Sequence, residues 1–281
     1  MDQKILNKSI NNLLKNCAEL NKNDSLLIIA EDSKYGWYDK ETSVVVYNYA
    51  KKKLGLNTEF LIVGEPENNS KNTVEKILDD YDCVIFFARI GDQERFDEPS
   101  SNTKRIMSYA RNIDSLCSSF ASTNYLEMIK FKDVINKIFF ESSNIKISCP
   151  LGTELKGEIE KKGTDKNKDT SVLRFPVVVP APILARTFSG EIVLSGYLTS
   201  TGSKVYKPIS LKIDSPITAN IVNGKINSFY GNKKVVEKVE KHYETVSKLF
   251  NIESNIVHSW HAGLNPGIHY SYSIEDNPDR W

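Results

Sequence analysis

The residues best suited to chemistry crowd toward the end of the chain. Three of its four histidines, His258, His261 and His269, lie in the stretch His258-Ser-Trp-His261-Ala-Gly-Leu-Asn-Pro-Gly-Ile-His269. Imidazole is the common neutral nitrogen ligand for zinc and ferrous iron, and the side chain that titrates near neutral pH. Such crowding in a histidine-poor sequence points to a divalent metal site, with Fe2+ or Zn2+ as the cation. His258 and His261 are three apart. On a helix they would share a face and reach one ion; in an extended segment they would point apart and only one would bind. Ala262-Gly263 and Pro266-Gly267 suggest a strand running into a loop, which favours a single ligand, His261 ahead of His258. Gly263 and Gly267 would let backbone come close to a bound group. Asn265 offers an amide donor and a carbonyl acceptor to a substrate, and His269 and Tyr270 would line the same cavity. The plainer alternative is that these histidines are surface or hydrogen-bonded core residues beside Trp260.

Other charged residues extend the list of candidates. Arg186 follows Pro180-Ala-Pro182 in an apolar stretch, so it is expected to be buried. A buried arginine needs an anionic partner, either a substrate carboxylate or a structural salt bridge. Glu154, Glu191, Glu275 and Asp276 could serve as ligands or bases, and each also reads as a solvated surface charge. His242 falls on the polar face of a helix and reads as solvated.

Two kinds of scaffold must position these residues. Up to residue 144 the pattern alternates between helix and strand. Apolar positions at Ile5, Ile10, Leu13, Leu14, Cys17 and Leu20 have helical spacing, and Leu26–Ala30 is a continuous apolar run of the kind buried on both faces of a parallel sheet. Helices are expected over 41–54, 73–80, 101–113 and 126–142, with strands at 58–63 and 83–87 and a polar one at 115–120. This alternation with short links predicts a Rossmann-like α/β layer over 1–144. No glycine-rich fingerprint follows the first strand, where Glu31-Asp32-Ser33-Lys34-Tyr35-Gly36 stands, so dinucleotide binding has no support. From 145 to 281 the texture is that of a β-rich α+β domain. Strands are expected at 145–149, 177–179, 190–196, 209–213, 217–222 and 225–230, and an amphipathic helix at 234–249. Asn223-Gly224 is a strong hairpin signal. The stretch 158–170 is expected to form an exposed hairpin or loop.

The composition excludes several partner classes. Lys and Arg number 37 against 36 Asp and Glu, so no electrostatic case exists for nucleic acid or a membrane surface. No apolar run approaches the ~20 residues of a membrane span. The opening Met-Asp-Gln-Lys-Ile-Leu lacks the apolar core of a signal peptide, and the four cysteines are scattered singly. A reduced, cytoplasmic protein acting on a small molecule or a short peptide is the expectation.

Four segments, in order along nearly the whole chain, carry a resemblance. They are Cys17-Ala-Glu-Leu20 with Asn23–Ala30, Ile145–Thr153 with Leu155, Phe188-Ser-Gly190-Glu-Ile-Val-Leu-Ser-Gly196, and Gly263-Leu-Asn265-Pro266-Gly267. The chain resembles the aminopeptidase T family of metallopeptidases, and also a relative on that scaffold, 2,5-dihydroxypyridine dioxygenase. The resemblance implies metal held by glutamates, histidines and a tyrosine, ending in a His-x-Asp pair, and a homodimer. It implies two ions that activate water in the peptidases, or one ferrous ion held by two histidines and a carboxylate in the dioxygenase. This sequence departs from the peptidase pattern at three places. Pro180-Ala181-Pro182 stands where a Gly-Glu-Val is expected. Val257-His258-Ser-Trp-His261 replaces a glutamate. No His-x-Asp precedes Trp281, so a second domain truncated at its carboxyl end is one expectation. Exchange of glutamate for histidine leans toward a mononuclear site acting on a small polar or aromatic substrate, by oxygenation or hydrolysis. The alternative is a non-catalytic scaffold or binding relative that has lost the complete site.

Overall fold

The computed structural model describes residues 2–66, 76–93, 102–159, 172–200, 206–268, 273–275 and 278. Its first layer is a parallel sheet in the order β2-β1-β3-β4-β7, formed by β1 (Ser25–Glu31), β2 (Asn57–Val63), β3 (Cys83–Phe87), β4 (Lys104–Ser108) and β7 (Leu173–Phe175). Every neighbouring pair in it runs parallel. Strand β3 is buried at every position and β1 at all but its first residue. That is why both read as unbroken apolar runs.

Helices cover the faces. Gln3–Asn11 continues through wider turns over Asn12–Cys17, and Lys40–Asn48 through Tyr49–Lys53. The longest helix of this layer, Tyr125–Glu141, is capped by Asn124, whose side chain accepts from the Leu126 and Glu127 amides. The buried cluster between these elements gathers Leu6, Leu13, Ile28, Phe86, Met107 and Phe175, among others.

The second sheet is antiparallel, in the order β11-β10-β9-β6-β5. It comprises β5 (Asn144–Ser148), β6 (Glu154–Glu158), β9 (Ser189–Thr199), β10 (Ser210–Val222) and β11 (Lys225–Tyr230). The β10–β11 turn is Asn223-Gly224, both with positive φ (49° and 71°), as the tight hairpin requires. Helix Lys233–Phe250 lays Val235 and Val239 on Leu211, Ile213 and Ile217. A two-stranded ribbon, β8 (Ile183–Leu184) with β12 (Ser259–Trp260), completes the described strands.

This α/β layer followed by a β-rich part matches the predicted fold class. Individual elements differ. Where one helix was expected over 101–113, the described residues form strand β4, and a short helical turn, Ile113–Leu116, begins only at the end of that range. Residues 115–120, expected as a strand, hold the end of that turn and the start of a second, Ser119–Ser122. For β4, a place between two neighbouring strands of a buried sheet overrides local propensity. The expected strand at 177–179 is irregular, and β7 lies just before it. Two expected strands, 209–213 and 217–222, are one strand with a register shift between Ile213 and Ile217. Pro216, which lacks an amide donor, lies within that irregularity. The expected loop at 158–170 falls almost wholly outside the described residues. Strand β7 also carries the chain back into the first sheet after β5 and β6 have entered the second, a return that a division at 144/145 does not anticipate.

Candidate functional site

The histidine segment is extended, as its glycines and proline suggest. β12 pairs antiparallel with β8, Ser259 opposite Leu184 and Trp260 opposite Ile183. The Ala185 amide donates to the His258 carbonyl at 3.0 Å, and the Val257 amide to the Gly224 carbonyl at 2.8 Å. Gly224 is held tightly here: a side chain on it would meet the Arg186 Cα at 2.6 Å. The ribbon therefore brings the Arg186 segment beside His258. Arg186 itself is exposed, which corrects the expectation of a buried arginine: the turn after β8 leaves the apolar stretch and faces solvent.

The two histidines flank β12 and both rings are exposed. Alternation would send them apart, yet both reach one atom. The Ser259 hydroxyl lies 3.1 Å from His258 Nδ1 and 3.0 Å from His261 Nε2. One hydroxyl can donate to one ring nitrogen and accept from the other, an arrangement that suits complementary tautomers of the two rings. Below them, Trp260 packs on Phe188, with its indole N–H buried and without a hydrogen-bond partner.

Asn265 is placed elsewhere. It is 5% exposed, and its amide nitrogen donates to the Phe120 and Pro176 carbonyls at 2.8 and 3.0 Å. Its side-chain oxygen accepts from the Gly267 amide at 2.9 Å. Gly267 abuts the backbone of Ser119 and Phe120, where a side chain would collide at 2.6–2.7 Å. The Gly-x-Asn-Pro-Gly loop is thus a clasp between the end of the chain and the first layer. The close approach at Gly267 is made by this protein's own backbone, while Gly263 faces open space.

The carboxylates near the site by sequence are engaged in other pairs. Glu275 accepts from the Ser273 hydroxyl at 2.7 Å and lies 3.8 Å from Lys212, which hold its carboxyl below the usual range. Glu154 pairs with Lys146 at 2.9 Å. His269, Tyr270 and Asp276 lie outside the described residues. His242 is half-buried with its ring 6.3 Å from Tyr206, and burial lowers its pKa, so it is more than a solvated surface residue.

The most completely built polar cluster lies in the parallel sheet, at the end of β1. Glu31, the last residue of β1, is 4% exposed. Its carboxylate accepts from the Arg89 backbone amide at 2.9 Å and from Arg89 Nε at 2.9 and 3.0 Å, and a second guanidinium nitrogen donates to Oε1. Asp92, 5% exposed, accepts from the Tyr109 hydroxyl at 2.7 Å. In the sequence Glu31 stands at the carboxyl end of β1 with nothing local to mark its partner. The missed signal is an acidic residue closing one buried apolar strand and an arginine just after the next.

No protein-family model matches the sequence, and no curated protein does. Among solved structures the chain is similar to wild-type AmpT (aminopeptidase T) from Thermus thermophilus, with a TM-score of 0.55 and 9% identity over 95% of this chain and 79% of that one. At that identity the likeness establishes an aminopeptidase T-like fold. A metal implied by such a fold must be tested against the donors present. Among the described residues, no group of three His, Cys, Asp or Glu is placed to hold an ion. A catalytic zinc takes three protein ligands and keeps one position open. Two solvent-facing imidazoles sharing a serine hydroxyl do not fit that requirement.

Proposed function

We propose that this protein is a small-molecule-binding relative on the aminopeptidase T-like scaffold, without the two-metal centre that hydrolyses peptides. The donor set of the histidine ribbon carries this reading. Ser259 takes up a nitrogen of both His258 and His261, and the described residues assemble no third metal-holding donor with them. The sequence departures at Pro180-Ala-Pro182 and at Val257–His261 point the same way. The test is hydrolysis of leucine p-nitroanilide by the full chain with zinc or cobalt added. No turnover above buffer is expected; turnover that disappears with His261→Ala would overturn the reading.

One observation favours a second reading, a single divalent ion at His258 and His261. Their nitrogens already converge on one point, the Ser259 hydroxyl, and a third donor would have to come from outside the described residues. A zinc titration showing one site, lost in both His258→Ala and His261→Ala, would support it.

A further inference from the structure

Beside β11, the outer strand of the antiparallel sheet, lies a cavity of about 340 Å³. Small-molecule sites run from roughly 300 to 1,000 Å³. Three segments wall it. β11 contributes Asn227 and Phe229, helix Lys233–Phe250 contributes Glu240, Tyr243 and Glu244, and the chain returning from that helix contributes Asn255.

The walls are fixed by packing and backbone pairing. Glu240, Tyr243 and Glu244 are spaced three and four apart, so they share a helix face. The same helix presses Val235 and Val239 onto the sheet, and the Tyr243 ring lies 5.9 Å from that of Phe229. The helix ends at Asn251, whose φ of 51° turns the chain back. The returning segment is pinned to β11: the Ile226 amide donates to the Asn255 carbonyl at 2.7 Å, and Lys225 pairs antiparallel with Ile256.

The chemistry of the lining is one-sided. No lysine, arginine or histidine lines the cavity beside its two carboxylates. Lys248 lies 3.8 Å from Glu244, but both side chains are more than half exposed, and such a pair is weak. The Glu240 carboxylate and the Asn227 and Asn255 side-chain amides make no hydrogen bond or ion pair among the described residues. Burial raises the Tyr243 pKa, so its hydroxyl stays a neutral donor and acceptor. A bare metal ion fits this lining poorly. Calcium takes roughly six to eight oxygen ligands, and no group of three His, Cys, Asp or Glu is placed to hold an ion among the described residues. An ammonium on an apolar stem fits it well, with its N–H groups on carboxylate and amide oxygens and its charge near the ring faces.

We infer that this cavity binds a small primary amine, in its ammonium form, with an aromatic stem. Glu240 and Glu244 supply the acceptors, and the Phe229 and Tyr243 rings supply the wall for the stem. None of the lining residues belongs to the histidine ribbon, so the inference stands apart from the reading of that ribbon.

Calorimetric titration of the full chain with benzylamine at neutral pH tests this, beside benzyl alcohol, benzoate and magnesium. Benzylamine is expected to bind in the millimolar range or tighter, and the other three at least about tenfold more weakly. Glu240→Gln keeps the size of the side chain and removes its charge, and should weaken benzylamine about tenfold. Glu240→Gln combined with Glu244→Gln should remove measurable binding. Glu237→Gln is the control. Glu237 lies on the same helix, 3.9 Å from Lys233, and does not line the cavity. Its loss should leave the affinity within about twofold. Circular dichroism should be unchanged in all three variants. Absence of benzylamine binding, equal binding of benzyl alcohol, tighter binding of magnesium, or a loss in Glu237→Gln as large as in Glu240→Gln would overturn the inference.

Discussion

The carboxyl end of the parallel sheet and the histidine ribbon contain the same raw materials, charged and aromatic side chains in loops, and use them differently. At the sheet, Glu31 and Arg89 are buried and their hydrogen bonds run between two central strands. At the ribbon, His258 and His261 stand in solvent on a two-residue strand and share one hydroxyl. Residue type drew attention to the second; position on the fold gives more to the first. A rigid sheet holds side chains in place, whereas exposed rings on a short ribbon can turn away at little cost.

The largest expected effect breaks the sheet end of this comparison. Arg89→Met would leave Glu31 buried without its partner and cost about 3–5 kcal/mol, measured by urea unfolding. The double variant Glu31→Gln with Arg89→Met should recover a large part of that loss. A single-variant cost below about 1 kcal/mol would mean that the pair is not shielded from water. Next comes the clasp. Gly267→Ala drives a methyl into the Ser119–Phe120 backbone and should cost about 1–3 kcal/mol. Asn265→Ala removes three hydrogen bonds and should cost a similar amount, which would define this loop as structural. At the ribbon, His258→Ala with His261→Ala should shift stability by no more than about 0.5 kcal/mol in metal-free buffer.

The smallest effect concerns pH. Burial lowers the His242 pKa, so the unfolded chain takes up this proton at a higher pH than the folded one. The contribution is intact above the ordinary histidine value of about 6.5 and is lost as pH falls below it toward the folded value. His242→Gln should therefore flatten part of the acid-side fall in stability. An unchanged pH profile would show that Tyr206 does not shield the ring.

Much of the scaffold was legible in the sequence because burial on both faces writes itself as apolar runs, as in Leu26–Ala30 and Cys83–Phe87. Asn223-Gly224 announced its hairpin because few other residues accept two positive φ angles in a row. β4 was not legible: Lys-Arg-Ile-Met-Ser is short and mixed, and only its neighbours β3 and β7 make it a strand. The site was read less well for a related reason. Histidine spacing is a local signal, whereas the meeting of Glu31 with Arg89 depends on the pairing of β1 with β3 across more than fifty residues. Asn265 shows the converse, a residue with the right chemistry for a ligand whose every polar atom is turned to the backbone of its own chain.

The most direct measurement is metal content after equilibrium dialysis of the full chain against zinc and, separately, ferrous iron, with elemental analysis of the protein. The expected result is no stoichiometric ion retained, in the natural chain or in the variants. One or two ions held per chain and released by His258→Ala or His261→Ala would contradict it and return the histidine ribbon to the role of a metal centre.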